Sequence, residues 1–366
     1  MTLSLYLARR FLFSVLLVSA IFAGILTLFD MVEQIRRYSS NPAVGLVEVI
    51  QLSALNLPAS LYEILPLVVM LGAIACFMTL ARSSELVVIR AAGRSALRAL
   101  VSPVITAVIL GLVALLVLNP LIAAIAQRSE QFTRQLTQGQ DAAVRTVSSE
   151  GIWLRQGDAA GQTVIRASTA RQGGTLLEGV TYLAFDRAGQ PVMRIEAAQA
   201  RLLSGAWELT DLKRWPLQAE NPEREAVREA QAQLPTDLSP TWIRESFSSP
   251  DAISIWQLRP FIKDLEKAGF NGQRHRVWLQ RELALPLTLA AMVLLAAGFT
   301  MRHSRGGGTG KMVLLAILAG FGMFFLRNFA QVLGENGQIS VALAAWAPPT
   351  VAIMAAIGLL LHLEDG

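Results

Sequence analysis

Apolar positions along the chain gather into six long runs, residues 11–29, 57–80, 97–118, 283–301, 312–333 and 341–361. A hydrocarbon core about 30 Å thick takes about 20 apolar residues in a helix, so each run predicts a membrane-spanning helix. Proline lies near the start of the second and fourth runs (Pro66, Pro286) and in the first turns of the sixth (Pro348, Pro349). Neighbouring helices recover the carbonyls that proline frees, so these positions predict bends rather than breaks. Between the third and fourth runs the period changes. Short stretches at 151–155, 163–170, 179–186, 192–203 and 206–215 alternate apolar and polar residues, separated by turn signals such as Ala188-Gly189-Gln190-Pro191 and Ser204-Gly205. That pattern predicts an antiparallel β-domain of sandwich or jelly-roll type, with Trp153, Ile165, Tyr182, Phe185, Ile195 and Trp207 pointing inward. These side chains make either a closed core or an open trough for an apolar ligand; periodicity does not separate the two. After the strands, Ile255, Leu258, Ile262 and Leu265 recur at helical spacing opposite Arg259, Lys263 and Glu266, and Gly269 follows as a stop. An amphipathic helix is expected there, leading the chain back to the membrane.

Composition agrees with the pattern. Of 366 residues, 53% are hydrophobic and 16% charged, whereas soluble domains carry about 25% charged residues. A soluble protein is excluded. The surplus of Lys and Arg gives a net charge of +5, which in a membrane chain reflects cytoplasmic loops and not nucleic-acid binding. Cys76 is the one cysteine and lies inside an apolar run, so neither an intramolecular disulfide nor a thiolate metal cluster is expected.

Basic residues set the orientation. Arg9 and Arg10 precede the first run, Arg82, Arg90, Arg94 and Arg98 surround the link between the second and third, and Arg302, Arg305 and Lys311 fill that between the fourth and fifth. On the other side stand Arg36 and Arg37, while 334–340 has no Lys or Arg. The positive-inside bias predicts both termini in the cytoplasm and the inserted block exported. The first run exceeds the roughly 7–15 apolar residues of a signal peptide and lacks a clear cleavage site, so a retained helix is expected. The expected fold is thus an α-helical membrane protein with six transmembrane helices and an inserted periplasmic antiparallel β-jelly-roll domain. Its divisions are 1–126 (three spans, with a cytoplasmic helix near 84–93), 127–250 (β-domain), 251–281 (connecting helix) and 282–366 (three spans).

Catalytic chemistry is not apparent. His275, His303 and His362 fall in separate loops. The stretch Gly306-Gly307-Gly308-Thr309-Gly310-Lys311-Met312 fails the phosphate-loop pattern twice, with Arg305 at the first Gly position and Met312 where Ser or Thr would hold magnesium. No cofactor bound by the chain itself is expected. Any nucleotide energy must come from a partner.

The link between the second and third runs, Arg82-Ser83-Ser84-Glu85-Leu86-Val87-Val88-Ile89-Arg90-Ala91-Ala92-Gly93, reads as a short helix with a serine cap, an acid in its first turn and a glycine stop. On physics alone it is either an interfacial helix or a knob that docks on a cytoplasmic ATPase. This segment closely resembles the S-E-L-V-V-x-x-A-x-G signature of the lipopolysaccharide-export permeases LptF and LptG. The order of elements resembles that family along the whole chain, as do Asp30-Met31-Val32-Glu33-Gln34-Ile35-Arg36-Arg37, Leu65-Pro66-Leu67 with Leu71-Gly72, and Gly151-Ile152-Trp153. The basic pair after the first span is more similar to the LptG branch than to the LptF branch.

The resemblance implies a permease subunit of an ABC transporter. It would work with an LptF-like companion, two copies of an LptB-like ATPase that uses ATP and Mg, an LptC-like bitopic protein and an LptA-like periplasmic bridge. Its cargo would be lipopolysaccharide, taken from the outer leaflet of the inner membrane through lateral gates at spans one and five. Glu85 would match the acidic coupling residue, with Leu86, Ile89 and Arg90 on the same docking helix. Arg36 and Arg37 would match basic residues that meet the anionic head group, beside Phe29 and Phe325 on the gate helices. Guanidinium suits phosphate, although interfacial anchoring is the plainer role for the pair. Arg327 falls in the outer part of the fifth span, where an ionisable residue points to function; head-group contact and snorkelling both fit it, with Asp30 as a candidate partner. Competing readings are an LptF-type companion, another exporter permease, or a membrane scaffold or sensor that uses its β-domain for protein contacts.

Overall fold

The structure is a computed structural model that describes residues 2–39, 44–83, 85, 96–137, 152–157, 162–171, 174–186, 188–203, 205–236, 252–267, 271–301 and 309–364. It divides into a helical unit (Met1–Leu136, Ser254–Leu258 and Gln273–Gly366) and a β unit (Thr137–Ile253 and Arg259–Gly272).

In the helical unit α1 spans Thr2–Tyr38, α2 Leu46–Glu63, α3 Leu65–Arg82 and α4 Ala96–Val113. A π-helical turn, Ala114–Leu118, joins α4 to α5 (Asn119–Thr137). After the β-domain come α6 (Ile255–Lys267), α7 (Gln273–Leu283), α8 (Leu285–Thr300), α9 (Thr309–Glu335) and α10 (Val341–Glu364). Among the described residues five stretches are long and apolar enough to cross a membrane, and the pair α7–α8, bent by 53°, makes a sixth when taken as one span.

At two of the prolines expected to bend a span the helix is interrupted instead. The second apolar run is split at Ile64 into α2 and α3, and the fourth at Ala284 into α7 and α8, each with its proline in the first turn of the new helix. Proline tolerates that position because its missing N–H has no partner to lose there. The π turn has the same origin. Pro120 cannot donate to the carbonyl four residues back and crowds it, so the preceding turn widens.

The centre of the bundle is α8, apolar all round its circumference and buried along nearly its whole length. It packs on α3, α4, α9 and α10, while α1 packs on α2, α3 and α4. Small residues set the closest approaches, as in membrane bundles generally. A Cβ on Gly72 would lie 2.8 Å from the Val15 Cα, so α1 rides directly against the α3 backbone. By contrast α1 exposes Leu16, Ile21, Leu28 and Phe29, and α9 exposes Leu318, Phe321, Phe325 and Phe329. These faces match a hydrocarbon surround.

The β unit holds β1 (Ile152–Gly157), β2 (Gln162–Arg171), β3 (Leu176–Phe185), β4 (Pro191–Leu203), β5 (Ala206–Pro216) and β6 (Val227–Pro235), paired antiparallel in chain order within one sheet. Gly189 (φ 79°) and Gly205 (φ 86°) occupy the left-handed conformations that the β3–β4 and β4–β5 turns need. Ile165, Tyr182, Ile195 and Trp207 are buried in a single core with Leu177, Leu209 and Leu212. Phe185 is only half-buried: three residues on from Tyr182, it falls on the opposite face of β3 by simple alternation. The side chain of Trp153 lies outside the described residues.

Candidate functional site

Three polar groupings interrupt the apolar bundle. The first surrounds Glu85, just past the C-terminus of α3. Its carboxylate accepts hydrogen bonds from Arg10 Nη1 on both oxygens (2.6 and 2.7 Å), from Ser83 Oγ (2.8 Å) and from Tyr6 OH (2.9 Å). The Arg10 guanidinium also lies over the Tyr6 ring, 5.6 Å from its centroid. Tyr6 and Arg10 stand one turn apart on α1, so the amphipathic period of that helix aims both at one acceptor. Partial burial works to raise the Glu85 pKa, but the Arg10, Ser83 and Tyr6 hydrogen bonds outweigh it and hold the carboxyl below its ordinary value. In the sequence Glu85 stood as the first-turn acid of the expected docking helix; here its charge is met within the chain. Leu86, Ile89 and Arg90, with the rest of the expected helix at 84–93, lie outside the described residues, as does the glycine-rich stretch 302–308.

The second grouping lies at the end of α1. Arg36 is exposed and forks onto Glu33 of the same helix (Nε–Oε2 3.1 Å, Nη2–Oε1 3.0 Å). Arg37, also exposed, lies over the Tyr38 ring at 5.9 Å. Both guanidiniums stand at the solvent-side end of a long apolar face that includes Phe29. Phe325 is similarly exposed on α9 and meets Phe324 edge-on at 6.2 Å.

The third grouping was not legible as a site. Glu282, the penultimate residue of α7, is 1% exposed. It accepts hydrogen bonds from Tyr62 OH of α2 and from Asn119 Nδ2 of α5 (3.2 Å), and Asn119 Oδ1 in turn accepts the backbone N–H of Ile255 (2.9 Å). Arg281 donates to Gln331 of α9, which donates to Glu335 (2.7 Å). Arg327, 6% exposed, lies within electrostatic reach of Glu282 and Tyr62. Its Nη1 and the Arg281 Nε have no hydrogen-bond partner among the described residues. Arg327 is therefore buried in the bundle, where the charges that act on it are Arg281, Glu282 and Glu63. The Asp30 Oδ1 accepts from Gln34 at 3.4 Å.

No three or more His, Cys, Asp or Glu side chains converge as metal ligands among the described residues. In the β-domain, Tyr182 OH and Trp207 Nε1 are buried without a partner among the described residues.

Comparison with known proteins places these features in a family. The profile described as "Lipopolysaccharide export system permease LptF/LptG" matches residues 5–362. Among curated relatives, the lipopolysaccharide export system permease protein LptG of Haemophilus influenzae is 23% identical over 351 residues, covering 92% of this chain and 91% of the relative. The protein of the same name from Escherichia coli K12 is 25% identical over 276 residues, 74% of each chain. The match runs through both sets of membrane helices and the β-domain between them, and the chain belongs to the LptF/LptG family of lipopolysaccharide export permeases.

Proposed function

We propose that this chain is the LptG-type half of an ABC transporter that lifts lipopolysaccharide out of the outer leaflet of the inner membrane and passes it to its own β-domain. From there the lipid would move to an LptA-like bridge toward the outer membrane. The observation that carries the reading is the family match over residues 5–362, together with relatives named LptG that align over 92% and 74% of the chain. The companion would be an LptF-like permease, with two LptB-like ATPases beneath and an LptC-like helix beside the gate. ATP and Mg would be used by those ATPases. Both termini and the segment around Glu85 then face the cytoplasm, and the β-domain faces the periplasm.

Within this scheme α1 and α9 are the gate helices. Each keeps a long apolar face exposed, which acyl chains can cover, and burial of about 25 cal/mol per Å² of apolar surface supplies the affinity. Arg36 and Arg37 sit at the level of the phosphorylated head and give selectivity through bidentate contacts. Arg36 must exchange Glu33 for phosphate to do so, a local swap on an exposed surface. Arg327 is given a different part. It is buried beside Glu282, which suits a support for the gate helix from behind. Glu85, with Leu86, Ile89 and Arg90, is the coupling segment.

The deciding experiment is purification of the tagged chain from detergent-solubilised membranes, identification of what accompanies it, and assay of ATP hydrolysis with and without lipopolysaccharide. An ATPase and a second permease should co-purify, with hydrolysis that responds to the lipid. A chain that purifies without an ATPase contradicts transport and returns the scaffold alternative.

A further inference from the structure

Residues three apart on a regular strand lie on opposite faces of the sheet. On four successive strands of the β-domain such a pair is buried together: Ala167 and Ala170, Leu177 and Val180, Ala197 and Ala200, Leu209 and Leu212. Each strand therefore sends two consecutive residues outward at one level. The strand pairing skips the same line, passing over Ser168/Gly179, Gly179/Ala198 and Ala198/Asp211. Gly179 (φ 60°) and Asp211 (φ 52°) lie on this crease in the left-handed region, and Asp211 is the one residue other than glycine to do so among the described residues. Glycine adopts that conformation freely, aspartate at a cost. A strained position kept by a side chain points to a use for that side chain. Beside the crease, on the face away from the core, Thr181, Glu196, Lys213 and Arg228 stand in one cross-strand row. Crease and row, with Trp215, line an open hollow of about 600 Å³, within the range of about 300–1,000 Å³ of small-molecule sites.

One wall of the hollow is already set. Trp215 Nε1 donates to Glu223 (2.6 Å), Lys213 pairs with the same carboxylate, and the Lys213 ammonium lies 4.7 Å from the centre of the Trp215 ring. The Asp211 carboxylate and the Arg228 guanidinium, both exposed, make no hydrogen bond or ion pair among the described residues. The lining thus combines cations, acceptors, a hydroxyl and the side of an aromatic ring. An acyl chain gains nothing from it. A bare anion meets the Asp211 and Glu196 carboxylates, and a metal ion finds no cluster of three ligands among the described residues. A hydroxyl-rich sugar that carries phosphate or carboxylate satisfies every group. Its hydroxyls donate to Asp211 and Glu196, Arg228 and Lys213 hold its anionic group, and its apolar ring face rests against Trp215. We propose that the outer face of the β-domain binds an anionic saccharide in this hollow, with Asp211 and Arg228 as its principal ligands. The site stands on the β-domain alone; only the attribution of the saccharide to the head of the transported lipid rests on the transport reading.

The test is calorimetric titration of the full-length chain in detergent with N-acetylglucosamine phosphate, N-acetylglucosamine and inorganic phosphate. The sugar phosphate should bind about tenfold more tightly than either of the other two, each of which lacks at least one hydrogen bond to a charged group. Asp211→Gly, which suits the left-handed backbone, and Arg228→Gln should each weaken the sugar phosphate by about tenfold. Asp211→Gly should also keep the parental midpoint of thermal unfolding, whereas a residue held there for structure alone would lower it. Arg201→Gln, an exposed arginine of β4 outside the hollow, should bind as the parent does. No binding by the parent, equal affinity for inorganic phosphate, or parental affinity in both Asp211→Gly and Arg228→Gln overturns the proposal. A photocrosslinker in place of Thr181 in living cells then identifies the source. Capture of lipopolysaccharide assigns the saccharide to the transported lipid, and binding in solution without that capture assigns the hollow to another saccharide of the same chemistry. A chain that binds the sugar phosphate but purifies without an ATPase fails the transport reading alone.

Discussion

Glu282 offers the sharpest energetic test of the helical unit. Truncation to Ala removes the acceptor shared by Tyr62 and Asn119 and one of the negative charges that act on Arg327 and Arg281, which are 6% and 8% exposed. Breaking a buried ionic group by deleting one member costs about 3–5 kcal/mol, because the remaining charge keeps its desolvation penalty. Glu282→Gln retains an oxygen for Tyr62 and Asn119 and loses only the charge, so its cost should be smaller, about 1–3 kcal/mol. Arg327→Met alone should also be costly, since it strands the Glu282 charge. The informative variant is Glu282→Gln with Arg327→Met, which removes both opposite charges together. Its cost should fall short of the sum of the singles by at least about 1 kcal/mol, the coupling expected of neighbours in one network. At about 2–4 °C per kcal/mol for a domain of this size, Glu282→Ala should lower the apparent midpoint of thermal unfolding in detergent by roughly 6–20 °C. Unfolding of such proteins is commonly irreversible, so all variants are compared at one scan rate. A shift under about 2 °C for Glu282→Ala, or strict additivity in the double variant, would refute the reasoning.

Three further outcomes are expected. A periplasm-dependent reporter fused after Gln190 should be active and the same reporter fused within 305–310 silent; the reverse pattern would overturn the orientation drawn from Arg9, Arg82, Arg302 and their neighbours. Photocrosslinkers at Phe29 and Phe325 should capture lipopolysaccharide, and Arg36→Glu with Arg37→Glu should weaken that capture far more than assembly of the complex; undiminished capture would reduce both arginines to membrane anchors. The Glu85 pKa is held below the ordinary 4.5, so the contribution of its contacts with Arg10 is fully present above that pH and is lost as pH falls through the lowered value. Carbodiimide labelling of Glu85, followed by mass spectrometry near pH 5, should accordingly lag behind that of an ordinary exposed glutamate, and equal rates would count against those contacts.

Much of the fold was legible because it follows from period alone. The apolar runs ending in Leu80, Leu118 and Leu361 are helices, and the alternation of Ile165, Tyr182, Ile195 and Trp207 places those residues in one core. Element boundaries were less legible. Span one extends from Thr2 to Tyr38, beyond its apolar run on both sides, because Arg9, Arg10, Arg36 and Arg37 are good helix formers that the hydropathy count excludes. That extension is what brings Tyr6 and Arg10 to Glu85. Glu85 itself was visible through the resemblance of its segment, but its partners were not, since a contact between residues 75 positions apart leaves no periodic trace. Glu282 was hidden for a related reason. It precedes an apolar run and reads as a polar flank, whereas the chain is already helical from Gln273.

One signal for the buried network did exist, and it lies in the prolines. Tyr62 stands four residues before Pro66, Asn119 directly before Pro120, and Glu282 four residues before Pro286. Each proline disrupts its helix in a different way: a break at Ile64, a π turn over Ala114–Leu118, and a 53° bend at Ala284. All three irregularities fall where Tyr62, Asn119 and Glu282 touch. A straight helix packed on another presents side chains at fixed spacing and leaves little room for a carboxylate with two donors. A broken one opens the spacing and frees carbonyls that polar neighbours can satisfy. The prolines thus gather polar side chains into one layer of an otherwise apolar bundle, and Arg327 on α9 is drawn to that layer by its charge. The consequence for α9 is mechanical. Its exposed side is apolar, chiefly Leu and Phe with Val332, free to exchange one apolar neighbour for another, while its inner side is tied to α7 through Gln331, which accepts from Arg281. A helix held to α7 by the Arg281–Gln331 bond is expected to move with it.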